Sequence, residues 1–356
     1  MTHIALEISN LDYRRPTGVS RYMLELIREF SEMCLPEEVR LLYKFSWLKK
    51  RLKVQHMPFP LQPYDERYWT WFRTPEVVHG LDTLAPRIRS SRRVVTIHDV
   101  LVLQDCPDPV CSTEFRERKR TQFQQIAENC DAVITVSESS RRDLLNTLSI
   151  PEEKVFATPL GVSPRFRPAP VEEIRSMRTR LGLAKEYLLF VGDLSVRKNT
   201  TRLVKAFAQS GLDLQLVLAG RCSYRGEETL EAIRSSGRQA QIRWLDFVED
   251  TDLPLLYSGA LGFVFPTLYE GFGMPILEAM TCETPVMVGD QGAGPEVSGG
   301  LAVECHPYDL DSIAEGMRQL VTHPRTGLRE HALQYTWKDC ADRTRAIYTQ
   351  LSVPAS

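Results

Sequence analysis

Short apolar runs rich in β-branched residues recur along this chain, at residues 3–8, 93–97, 132–136, 187–191, 214–218, 263–265 and 285–288. Most are apolar on both faces, so both sides of each run must be covered, as in a parallel sheet with helices on either side. Between them the spacing changes to a helical period. Val19, Met23, Leu26, Ile27 and Phe30 share one helical face, as do Leu203, Val204, Phe207 and Ala208. This alternation predicts α/β units. No internal repeat or low-complexity segment interrupts it.

At 356 residues the chain exceeds what one hydrophobic core usually supports, so two domains are expected. The break falls at 159–170, where Pro159, Gly161, Pro164, Pro168 and Pro170 interrupt any regular element. With 43% hydrophobic and 25% charged residues the composition is that of an ordinary globular protein. No apolar run approaches the roughly 20 residues that span a bilayer. The first 170 positions hold 25 basic against 22 acidic residues and the remainder 19 against 24, a balance that argues against nucleic acid as a partner. Two basic clusters stand out, Lys49-Lys50-Arg51-Leu52-Lys53 after Trp47 and Arg116-Glu117-Arg118-Lys119-Arg120. They read either as solvated helix faces or as contacts with an anionic membrane surface. Eight cysteines without a C-x-x-C pair, and an opening without a basic-then-apolar leader, point to reduced thiols in a cytoplasm.

The run Glu270-Gly271-Phe272-Gly273-Met274-Pro275-Ile276-Leu277-Glu278 carries the most chemistry. Gly271 and Gly273 let a ligand approach the main chain, and Pro275 suits the first helical position, so a helix is predicted to begin there. The amides around Gly273 and Met274 would lie at the positive end of that helix, where a phosphate is favoured. Glu278 follows about one turn in. Carboxylates accept hydrogen bonds from hydroxyls, so two of them flanking an anion-ready loop predict a ligand both phosphorylated and polyhydroxylated, such as a nucleotide sugar.

Three other places add to this. Gly18 precedes an amphipathic helix in the donor-rich loop Arg14-Arg15-Pro16-Thr17-Gly18-Val19-Ser20-Arg21. His98-Asp99 follows the run ending at Ile97, at the carboxyl edge of a sheet, where open α/β folds bind ligands. Arg197 and Lys198 follow a strand and Gly192, ahead of a helix capped near Asn199 or Thr200, and two adjacent cations there suit a diphosphate.

The nine-residue run resembles the Glu-x7-Glu signature of the retaining glycosyltransferases of the GT-B fold, family 4, which includes bacterial mannosyl-, glucosyl- and rhamnosyltransferases. The resemblance implies that Glu270 lies near the donor-sugar hydroxyls and Glu278 holds the ribose, with Gly271, Phe272, Gly273 and Met274 as the donor-binding loop between them. Thr96-Ile97-His98-Asp99 is similar to the strand-end motif in which the histidine faces the donor sugar, leaving Asp99 as an orienting or helix-capping residue. Arg197-Lys198-Asn199 is similar to the run whose lysine grips the distal phosphate. Asp193 stands where some members carry an arginine, a role that passes to Arg197. Gly18 and Arg21-Tyr22 match a loop that touches donor phosphates or acceptor, with Ser20 where a second glycine is common. Asp250-Thr251-Asp252 has the spacing of a metal motif but matches the family's base-side helix start, and Tyr335-Thr336-Trp337-Lys338-Asp339-Cys340 resembles its closing segment.

The implied fold is GT-B, α/β, with two Rossmann-like β/α/β domains facing across a cleft. Residues 1–165 form the acceptor-side domain, 166–335 the nucleotide-sugar-binding domain, and 336–356 a helix crossing back to the first. The implied function is metal-independent, retaining transfer of a hexose, with mannose from GDP-mannose as donor, to a glycan or lipid-linked glycan in the cytoplasm, with peripheral membrane contact. A UDP- or dTDP-sugar transferase (glucosyl or rhamnosyl), a GT-B phosphorylase or epimerase, and a GT-B protein that binds without transferring are the alternatives. A dinucleotide-dependent oxidoreductase would need a G-x-G-x-x-G after a strand, which is missing.

Overall fold

The computed structural model describes residues 3–12, 17–44, 57–64, 74–84, 86–88, 90–104 and 106–352. Arg14, Arg15 and Pro16, and the cluster from Lys49 to Lys53, lie outside the described residues. The chain divides into two units. The first takes Met1–Gln104, Thr113–Gly161 and Thr336–Ser356, and the second takes Asp105–Ser112 and Val162–Tyr335. The first division thus falls at 161/162, a few residues before the 165/166 read from the sequence. Asp105–Ser112 goes with the second unit, where Asp108 pairs with Arg202 at 2.7 Å and Cys106 lies 3.3 Å from the Tyr308 hydroxyl.

The first unit holds a seven-stranded sheet of β1 (Ile4–Glu7), β2 (Val39–Lys44), β3 (Leu61–Tyr64), β4 (Val77–Gly80), β5 (Arg92–Ile97), β6 (Ala132–Thr135) and β7 (Val155–Ala157). Its spatial order is β3-β2-β1-β4-β5-β6-β7. The second unit holds β8 (Tyr187–Val191), β9 (Gln215–Ala219), β10 (Ile242–Leu245), β11 (Gly262–Phe265), β12 (Val286–Gly289) and β13 (Val303–Cys305), in the order β10-β9-β8-β11-β12-β13. Neighbouring strands pair in parallel throughout. β1, β4, β6, β11 and β12 are buried at every residue, as the two-faced apolar pattern requires.

A buried polar chain fastens the C-terminal helix, Trp337–Ser352, onto the first sheet. The Tyr22 hydroxyl lies 2.9 Å from Thr96 Oγ1, which lies 2.8 Å from His79 Nε2, and His79 Nδ1 meets the Tyr348 hydroxyl on that helix. All four residues are fully or almost fully buried. Burial, reinforced by His98, pushes the His79 pKa down to about 3, so the ring stays neutral in the folded protein long after it would protonate in the unfolded chain. Stability contributed by neutral His79 is therefore complete above its ordinary value near 6.5 and is lost as pH falls toward 3. At pH 4.5 the loss is roughly 2–3 kcal/mol. Glu7 acts with the opposite sign. Burial raises its pKa to about 7, so lowering the pH from 7 to 4.5 stabilises the folded form through this group. Melting curves from pH 7.5 to 4.5 should show a smaller acid-induced fall in Tm for His79→Gln than for the parent, and a larger one for Glu7→Gln.

Candidate functional site

In the second sheet the strand order reverses between β8 and β11, which opens a crevice at their carboxyl ends. The loops leaving these two strands carry the predicted cations and the first predicted carboxylate. They are set by close backbone approach. Gly220, after β9, has φ +151° and packs so tightly on the β8 loop that a Cβ there would lie 1.9 Å from the Gly192 carbonyl oxygen. Asn199, with φ +59°, starts the helix Thr200–Gln209 without a side-chain cap bond. Its amide instead donates to the carbonyls of Pro266 (2.9 Å) and Pro307 (2.6 Å), stitching the β8 loop to those after β11 and β13.

This arrangement brings Lys198 Nζ to 2.8 Å from Glu270 Oε1 and Arg197 to 3.7 Å from Glu270 Oε2. Lys198 also sits over the Phe265 ring, 4.8 Å from its centroid. The side chains of Lys198 and Glu270 are only 13% and 9% exposed, so their attraction is little screened. Burial holds the Lys198 ammonium below the usual lysine range, against the pull of Glu270. Burial alone would raise the Glu270 carboxyl, but Lys198 and then Arg197 outweigh it and hold it below the usual carboxylate range.

The helix after the glycine loop runs Met274–Thr281, so Pro275 is its second residue rather than its first. The difference costs no hydrogen bond, because the first four helical N–H groups have no intrahelical partner. Gly273 caps the helix with φ +94°, a left-handed conformation that favours glycine. Phe272 is buried with its ring edge-on to Tyr335, and Met274 is half-buried at the helix start. Glu278, one turn in and buried, accepts a 2.9 Å hydrogen bond from the Tyr257 hydroxyl. The loop Gly271–Met274 thus runs between two carboxylates, with two cations on the Glu270 side. Chemically it can receive an anion at the cations and helix start, and hydroxyls at the glutamates.

His98 and Gly18 belong to the first unit. His98 follows β5, donates from Nε2 to the Leu81 carbonyl at 3.1 Å, and meets the edge of Tyr22 at 5.0 Å between centroids. Asp99 accepts from the Leu101 amide at 3.3 Å, shaping the turn Leu101–Leu103. Gly18 opens the helix Gly18–Met33, whose cap Thr17 accepts from the Ser20 amide. The Ser20 hydroxyl, buried, accepts from the Asp12 amide at 2.9 Å, so the residue standing in place of a second glycine ties the loop together. Sequence reasoning missed Asn10 and Asp82. They hydrogen-bond at 2.7 Å and link the loops after β1 and β4, the pair at which the first sheet reverses its order. A polar residue shortly after each strand end was the available signal, but β4 was not recognised as a strand. Asp250 and Asp252 are each engaged by an arginine, Arg165 at 2.7 Å and Arg180 at 2.7 Å. Among the described residues no three His, Cys, Asp or Glu side chains come together as metal ligands.

Two parallel α/β units, one with a cation–carboxylate site at its strand-order reversal, form the architecture of the GT-B glycosyltransferases. Sucrose-phosphate synthase from Thermosynechococcus elongatus shares this fold with a TM-score of 0.79 at 18% identity, over 99% of both chains. Anabaena HepE in complex with UDP-glucose shares it with a TM-score of 0.76 at 15% identity, over 98% of this chain and 100% of that one. The description "Glycosyltransferase Family 4" matches residues 16–166, and "Glycosyl transferases group 1" matches 173–338. The chain belongs to glycosyltransferase family 4 and is a glycosyltransferase. It is 27% identical over 378 aligned positions to O-antigen chain mannosyltransferase B of Escherichia coli, covering 94% of this chain and 96% of that protein.

Proposed function

We propose that this enzyme transfers mannose from GDP-mannose to a hydroxyl of a growing glycan or lipid-linked glycan, retaining the anomeric configuration and needing no metal. The observation that carries the donor assignment is the largely covered Lys198–Glu270 pair, with the more exposed Arg197 next to it, beside the Gly271–Met274 loop and Glu278. Mannose as the sugar rests on the likeness to the Escherichia coli O-antigen mannosyltransferase. Guanosine diphosphate as the carrier rests on the resemblance of the Thr17-Gly18-Val19-Ser20-Arg21-Tyr22 segment to that of family mannosyltransferases that use GDP-mannose.

The entering diphosphate takes over Lys198 and Arg197, releasing the Glu270 carboxylate to the sugar hydroxyls, while Glu278 receives the ribose. As the anomeric carbon turns cation-like, the departing diphosphate gains charge, and the two cations with the amides near Gly273 stabilise it electrostatically. His98 orients the sugar, and the acceptor attacks from the face the diphosphate leaves, giving up its proton to the donor phosphate. We assign the reaction to the cytoplasm. Arg116, Arg118 and Arg120 of the helix Thr113–Asn129 serve as the contact with an anionic membrane surface that carries the acceptor.

The two glutamates separate the roles. Glu278→Gln should weaken binding of the bare nucleoside diphosphate by roughly 1.5–3 kcal/mol, through loss of a charge-assisted bond to the ribose. Glu270→Gln should leave that binding nearly intact yet depress transfer. Calorimetry with GDP and steady-state transfer assays, run with and without EDTA, check this. Equal losses of GDP affinity, or a fully active Glu270→Gln, would refute the division of roles, and activity that EDTA abolishes and Mg²⁺ or Mn²⁺ restores would refute the metal-free mechanism.

A further inference from the structure

Tyr257 lies on the helix Leu253–Ser258 and is fully buried, so its hydroxyl needs a partner inside the protein. That partner is the Glu278 carboxylate, reached from a different helix at 2.9 Å. The tyrosine is itself held firmly. Its carbonyl accepts from Thr284 Oγ1 at 2.6 Å and from the Ala260 amide at 3.0 Å, and its ring packs edge-on against Phe263 and Phe166 at 5.5 and 5.9 Å. A glutamate has three side-chain torsions, and ordering them at the moment of binding weakens the complex. We propose that Tyr257 is a positioning residue that fixes the Glu278 carboxylate in the orientation that receives the ribose hydroxyls. This rests on the ribose role proposed for Glu278. It adds that donor affinity depends on a phenol that never touches the ligand, because the carboxylate is ordered before the nucleotide arrives.

The test compares GDP with 2′,3′-dideoxyGDP, which lacks both ribose hydroxyls, on the parent, Tyr257→Phe, Glu278→Gln and the double variant. Tyr257→Phe should bind GDP about 3- to 10-fold more weakly and leave dideoxyGDP unchanged. The double variant should bind GDP no worse than Glu278→Gln alone. Equal weakening of both ligands would reduce Tyr257 to a packing role and overturn the proposal, as would unchanged GDP binding. If Glu278→Gln weakens GDP and dideoxyGDP equally, or weakens neither, the ribose reading falls and the proposal with it. If Glu278→Gln weakens GDP selectively and Tyr257→Phe does not, the proposal alone falls. Should the phenylalanine variant not fold, 4-fluorophenylalanine at position 257 fills the hydroxyl's space without donating, and the same selective loss is expected.

Discussion

Lys198→Ala is expected to lower turnover by about 100-fold or more, the range seen when one group that stabilises transition-state charge is removed. The structure adds a second consequence. Lys198 is the close partner of a carboxylate whose side chain is only 9% exposed, so the variant leaves Glu270 to the more distant Arg197, at 3.7 Å, for its charge compensation. Breaking one side of a buried pair costs about 3 kcal/mol, whereas replacing both sides with neutral groups is often close to neutral. Lys198→Met combined with Glu270→Gln should therefore recover most of the lost Tm while turnover stays low. Near-normal kcat for Lys198→Ala would remove the lysine from the phosphate site. An unchanged Tm would show that the pair contributes nothing to the fold.

Gly220→Ala should produce the largest loss of stability from adding a single methyl group. The new Cβ would lie 1.9 Å from the Gly192 carbonyl oxygen and 2.5 Å from its carbon, with backbone rather than a flexible side chain in the way. A φ of +151° adds strain for any residue with a Cβ. Together these amount to roughly 3 kcal/mol or more, or about 6–12 °C in Tm for a unit of this size. Because Gly192 begins the loop that ends in Lys198, kcat should fall as well. Gly211→Ala is the control. Its φ of +72° is also left-handed, but no atom lies within 4 Å of the added methyl group, so it should cost only about 1 kcal/mol. Scanning calorimetry on both variants, with transfer assays, checks the contrast; equal losses would place the cost in backbone strain rather than in contact with the β8 loop.

The sequence alone determined the α/β class and the positions of seven strands, because strands buried on both faces are apolar at nearly every residue. It also located the Gly271–Met274 loop, the cations at 197 and 198, and the helix starts that follow them, since glycine, proline and capping residues act over a few positions. Strands β3, β7, β10 and β13 escaped notice. Each lies at the edge of its sheet, where half the surface is uncovered and the apolar signature is lost, and β3 even contains Pro63. β2 and β4 escaped inside the first sheet, β2 because Arg40 and Lys44 break its apolar run and β4 because four residues ending in His79-Gly80 are too few to show a period.

Tertiary structure alone decided which separated residues meet. Lys198 and Glu270 stand 72 positions apart and become partners because β8 and β11 are neighbours, an outcome of strand order that no local pattern encodes. The same holds for the Tyr257–Glu278 bond, for the Asn10–Asp82 link, for His79 meeting Tyr348 across 269 positions, and for Asp108 joining Arg202 in the second unit. Local spacing records how much of a segment is covered, whereas the partner that covers it is chosen by the free energy of the whole packed chain.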